Sequence, residues 1–133
     1  MKNLKAILIK ALCDFFENDY RRIEHALKVT ELSGRIAAEY GAFDYELLTA
    51  ACILHDIGIK KSEEVLGYNN GKTQEEYGPA EAEKILKSIN FPAEKISKVL
   101  EIIGNHHSPS RYDYIELKIL KQSDQIINSA EME

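Results

Sequence analysis

The sequence predicts an all-α protein, a compact bundle of about six or seven helices, and three observations carry that prediction. Apolar residues recur at helical intervals along nearly the whole chain. No stretch alternates in the two-residue period of a half-buried strand. Caps and breakers divide the chain into pieces of helical length.

Leu4, Ile7, Leu8, Ala11 and Phe15 mark a first helix. Asn18-Asp19 is a plausible cap for a second, which runs to about Tyr40 with His25, Val29, Leu32 and Ile36 on one stripe and stops at Gly41. Asp44 caps a third, whose buried face carries Leu48, Ala51, Cys52 and His55. Ser62 to Thr73, with Gly67, Asn69, Asn70 and Gly71, reads as a mobile loop. A fourth helix is expected to open at Gly78-Pro79 and a fifth at Pro92, since proline suits the first helical turn. Ser108-Pro109-Ser110 breaks the chain before a last helix bearing Leu117, Leu120, Asp124 and Ile127.

The bounds agree with this reading. The 133 residues suit one domain, taken as 1–133, and 44% apolar with 29% charged residues is ordinary globular composition. A net charge of −5 argues against wrapping of extended nucleic acid, but leaves open a small anionic ligand in one cleft. Cys13 and Cys52 lack metal or redox spacing, which fits a reducing, cytoplasmic setting without a disulfide framework. Lys5 and Lys10 interrupt the apolar run Leu4 to Leu12, and nothing reaches spanning length, so no membrane partner is expected.

Function is read from what interrupts the apolar stripes. His25 shares its face with Val29, Leu32 and Ile36; His55 follows Leu48, Ala51 and Cys52; Asp124 lies between Leu120 and Ile127. An ionised aspartate on a buried face is costly unless a cation or full hydrogen bonding offsets the lost hydration. A single inward histidine is most often an ordinary hydrogen-bonded core residue. However, all four histidines, His25, His55, His106 and His107, fall on or beside core-facing positions. Three helices presenting His or Asp inward point to one shared ion.

The ordered set His25, then His55-Asp56 within Ile-Leu-His-Asp-Ile-Gly, then Asn-His106-His107, then Ser-Asp124 resembles the HD domain superfamily of metal-dependent phosphohydrolases. The likeness spans roughly residues 21–128. It implies that His25, His55, Asp56 and Asp124 ligate a divalent metal inside a helical bundle. Two imidazoles and two carboxylates suit manganese, iron, cobalt, nickel or magnesium better than zinc, with open positions for water and a phosphate oxygen. The resemblance further implies hydrolysis of a phosphate ester or anhydride by metal-activated water.

Three departures from the binuclear HD-GYP relatives favour one ion per chain. Gly78 to Ala82 holds no histidine, Arg21 stands where those relatives have a glutamate, and Ser108-Pro109-Ser110 replaces Gly-Tyr-Pro. Beyond the ligands, His106 or His107 is expected to face the cleft as an acid or phosphate donor, and periodicity favours neither. Lys60, with Arg21 or Arg22, is a candidate for phosphate charge, against the bland reading of solvated surface cations. Glu81 is a candidate base or water-orienting group, against that of a first-turn helix stabiliser. Tyr68 to Lys72, Tyr77, Tyr112 and Tyr114 are candidates for stacking a base or sugar. The expected partner is thus a small phosphorylated substrate, with a nucleotide leading and homodimerisation plausible. A metal- and nucleotide-binding sensor without turnover is the alternative.

Overall fold

The computed structural model describes residues 1–132 and contains seven helices and, among those residues, no strand. They are α1 Leu4–Phe16, α2 Tyr20–Tyr40, α3 Tyr45–Leu54, α4 Ile59–Leu66, α5 Gly71–Ser88, α6 Ala93–Ile103 and α7 Ile115–Glu131.

α3 is the hub. Every residue from Leu47 to Leu54 is buried, and α1, α2, α6 and α7 all pack against it. A helix that is apolar all round can be satisfied only by neighbours on every side. Its start is set by Asp44, whose carboxylate accepts from the Leu47 amide, with Glu46 in the first turn. The amphipathic helices α2 and α7 pack on each other as well, joined where the Ser123 hydroxyl donates to the Val29 carbonyl. α4, α5 and α6 pack in succession along the other side. One apolar cluster runs through the molecule, from Leu8 and Leu12 through Ile53 and Leu54 to Ile102, Leu117 and Leu120. Among the described residues no helix is long and apolar enough to cross a membrane.

The segment expected to be a mobile loop is mostly helix. α4 ends at Gly67, which takes a left-handed φ of 81° and donates its amide to the Glu63 carbonyl. α5 begins only four residues later, because Asn70 and Thr73 form a reciprocal capping box. The buried Ser62 hydroxyl lies 2.7 Å from both the Tyr68 carbonyl and the Thr73 hydroxyl and ties the turn down. Gly78-Pro79, expected to open a helix, instead sits inside α5. Proline there costs one hydrogen bond, to the Glu75 carbonyl, but the strong cap at Asn70 and the packing of α5 on α4 and α6 outweigh it.

Candidate metal centre

Four residues from three parts of the chain meet at one point. His25 comes from the second turn of α2, His55 closes α3, Asp56 follows in the tight turn to α4, and Asp124 lies on the buried face of α7. His25 Nε2 lies 3.0 Å from Asp124 Oδ1 and 3.4 Å from Asp56 Oδ2. His55 Nε2 lies 3.3 Å from Asp124 Oδ1, 3.4 Å from Asp56 Oδ2 and 3.3 Å from His25 Nε2. Ligand atoms at ~2.1 Å from a common ion lie ~3.0 Å apart at right angles and ~3.4 Å apart at tetrahedral angles. His25, His55 and Asp56 are therefore spaced as ligands of a single ion, and Asp124 stands within 3.3 Å of both imidazoles on the same side of the cluster.

Protonation at the far ring nitrogens is dictated by their partners. His55 Nδ1 lies 2.7 Å from the Cys52 carbonyl, and His25 Nδ1 lies 2.9 Å from Glu131 Oε1. A carbonyl or carboxylate only accepts, so each Nδ1 donates outward, while both Nε2 atoms face the centre, where without an ion the acceptors within reach are the Asp124 and Asp56 carboxylates. Burial works against a charge on either ring but is outweighed: Asp124 and Asp56 together raise His25, and Asp56 and Asp124 raise His55 well above the usual imidazole range. Burial likewise resists ionisation of Asp56 and Asp124, yet the histidines hold both carboxyls below their usual range. Two carboxylates balance two protons on the imidazoles, or one divalent cation with the imidazoles neutral. The donor set fits a divalent metal.

The family model of the HD domain matches residues 22–129, which include all four of these residues. The chain belongs to the HD domain family. No curated protein and no solved structure matches the chain. HD domains are typically metal-dependent phosphohydrolases, so membership implies a divalent metal, and His25, His55 and Asp56 form a group that could hold one.

The paired histidines, which periodicity left undecided, are separated by the structure. His106 is buried, with Nδ1 2.6 Å from the Ile103 carbonyl and Nε2 3.6 Å from Asp56 Oδ1. That Nε2 has no hydrogen-bond partner. His107 lies at the rim, its Nε2 2.6 Å from Gln74 Oε1. Asp56, His106 and His107 bring donor atoms within 4.8 Å of one another, so Asp56 serves two sides at once. Glu75 holds the pair in place: its carboxylate accepts from the His107 and Ser108 amides and the Ser108 hydroxyl.

Two cavities open on the cluster. One, of about 230 Å³, is lined by Arg21, Arg22, His25, Asp56, Gln74 and Glu131 among others. The second, of about 370 Å³, is lined by His106, His107, Lys121, Asp124, Gln125 and Asn128 among others. Asn128 borders both. Arg22 is already paired, its guanidinium making two 3.0 Å bonds to Glu63. Arg21 forms no ion pair among the described residues.

Other expected site residues are placed elsewhere. Lys60 turns from the cluster: its ammonium donates to the Phe15 carbonyl at 3.1 Å and lies over the Phe15 ring. The reason is local, because α4 carries it towards the end of α1. Glu81 lies in the third turn of α5, not in a first turn, and pairs with Lys84. Tyr112 and Tyr114 stack on one another at 5.4 Å, with Arg111 and Lys98 on their faces, beside a separate cavity of about 380 Å³. Tyr68 is exposed. Gln74, Asn128 and Glu131 were not singled out by the sequence, although Asn128 and Glu131 continue the stripe of Leu120, Asp124 and Ile127, four and seven residues past Asp124, and that spacing is the signal that finds them.

Proposed function

We propose that this HD domain is a phosphohydrolase that cleaves a phosphate ester or anhydride of a small molecule, with a nucleotide as the leading substrate class. The observation that supports it is that two imidazole Nε2 atoms lie 3.3 Å apart, each with a carboxylate oxygen of Asp56 and of Asp124 at 3.0–3.4 Å, while both Nδ1 hydrogens are engaged elsewhere. Held by His25, His55, Asp56 and Asp124, a divalent ion would polarise a phosphoryl oxygen and bring the pKa of water towards neutrality. Manganese, iron, cobalt, nickel or magnesium suit this nitrogen and oxygen set better than zinc, at one ion per chain.

The chain's own groups divide the remaining work. Arg21, uncompensated at the mouth of the smaller cavity, binds phosphate oxygens. His106 has Nδ1–H held on the Ile103 carbonyl, so its Nε2 faces Asp56 and the cleft, where it can exchange a proton with water or a leaving oxygen. Gln125 and Asn128 offer amides for the rest of the substrate in the larger cavity. Cavities of a few hundred Å³ suit a compact monoester or a short diphosphate.

The test is metal analysis of the purified protein coupled to a phosphate-release screen over nucleotides and generic phosphomonoesters. His55→Ala/Asp56→Ala is the control. Bound metal with turnover absent from the control is the expected result. Bound metal without turnover on any substrate supports a regulatory sensor instead, and absence of metal under all loading conditions overturns the proposal.

A further inference from the structure

We propose that Glu131 is a positioning residue for the metal centre, fixing the His25 tautomer in which Nε2 is free to bind; this rests on His25 being a ligand. The three inward histidines obtain their Nδ1 acceptors in two different ways. His55 and His106 each reach a carbonyl three residues earlier, Cys52 and Ile103, at the ends of α3 and α6. Those carbonyls lack intrahelical donors, so the fold supplies the acceptors locally. His25 sits within α2, where neighbouring carbonyls are committed to the helix ladder. Its acceptor comes from 106 positions away, in the last turn of α7.

Glu131 Oε1 lies 2.9 Å from His25 Nδ1, and Lys28 Nζ lies 4.0 Å from the other oxygen. A carboxylate behind a ligating imidazole fixes its orientation and increases its basicity. Glu131 also falls beyond residues 22–129, so this clamp is a feature of this chain outside the matched family pattern.

The experiment compares wild type with Glu131→Ala, Glu131→Gln and Lys28→Ala, measuring Mn²⁺ affinity by calorimetry. In parallel, the Nδ1–H signal of His25 and its solvent exchange are recorded by ¹H–¹⁵N NMR in metal-free protein, where the bond to Glu131 shields that proton. Glu131 is exposed at a helix end, so these variants are expected to fold, which circular dichroism checks. Glu131→Ala should weaken Mn²⁺ binding ~10–100-fold and abolish the shielded Nδ1–H signal, leaving the His25 proton on the Nε2 that faces Asp124. Glu131→Gln keeps an acceptor oxygen, so it should retain the tautomer and lose less affinity; Lys28→Ala should leave both readouts near wild type.

Near-wild-type Mn²⁺ affinity in Glu131→Ala with an unchanged tautomer would overturn the assignment. Wild-type protein that binds no divalent ion sinks the metal reading, and the tautomer measurement then still decides the Glu131 contact.

Discussion

Gly58 and Gly78 are in backbone contact: a β-carbon on Gly58 would stand 2.5 Å from the Gly78 nitrogen and 2.7 Å from the Gln74 carbonyl oxygen. The turn carrying His55 and Asp56 is thereby pressed against α5, which presents Gln74 to the same cleft. The obstacle is backbone, so it cannot rotate aside. Gly58→Ala is expected to destabilise the protein by about 1–3 kcal/mol or more, measured by urea denaturation. It should also weaken metal binding, because the turn that aims Asp56 must shift.

Asp124→Asn removes one anionic ligand while keeping shape. Metal affinity should fall by more than the ~10–100-fold typical of outer partners, and activity should fall with it. Circular dichroism should show the helical fold retained; global unfolding instead would mark the ion as a structural staple.

The pH dependence has a definite sign. His25 and His55 have folded pKa values raised above about 6.5 in the metal-free protein. Their contribution to stability is complete below the unfolded value and is lost as pH rises through the raised folded values. In chelator, the melting temperature should therefore decline as pH rises from about 6.5 through the raised values. With a divalent ion present the same protons are competitors, so stabilisation by the ion should grow as pH rises through it. Thermal melts with and without chelator check both slopes.

Arg21→Ala is expected to raise KM for a phosphate substrate about tenfold, the scale of one charge-assisted hydrogen bond, with metal content unchanged. Arg22→Ala breaks a pairing with Glu63 at the protein surface and should change stability by no more than about 1 kcal/mol. Steady-state kinetics and metal analysis on both variants separate the roles.

Lys60→Ala should leave kcat and KM close to wild type, since its ammonium is engaged by Phe15 and not by the cleft. A large loss of kcat/KM would place Lys60 in the site after all.

The legible and illegible parts of the sequence differ for physical reasons. His25, His55 and Asp124 stood out because a polar group on an apolar stripe has no other inexpensive place to be, and the structure brings all three to one point. The termini of α2 and α3 were readable from Gly41 and Asp44. The Ser62 to Thr73 segment was misread because Asn and Gly mark both loops and helix caps. Only the Asn70–Thr73 pairing tells them apart, and that pairing exists in space. Pro79 misled for a related reason: proline favours a helix start, but tertiary packing can carry it through an interior. His106 and His107 are adjacent in sequence, and only the turn after α6 decides that the first is buried and the second lies at the rim. Glu131 lies on the stripe of Asp124 and Ile127, but nothing in the sequence names the imidazole it holds, because that partner is on α2 and the contact exists only in space.

α3 and α6 both end at the cluster, and each spends a terminal carbonyl on a histidine that faces it. Two carboxylates and two helix C-termini, each carrying about half a negative charge, surround the same small volume. In the metal-free protein that charge is balanced by protons on the two imidazoles, so a divalent cation enters by displacing them, and uptake of the ion releases acid to the solvent.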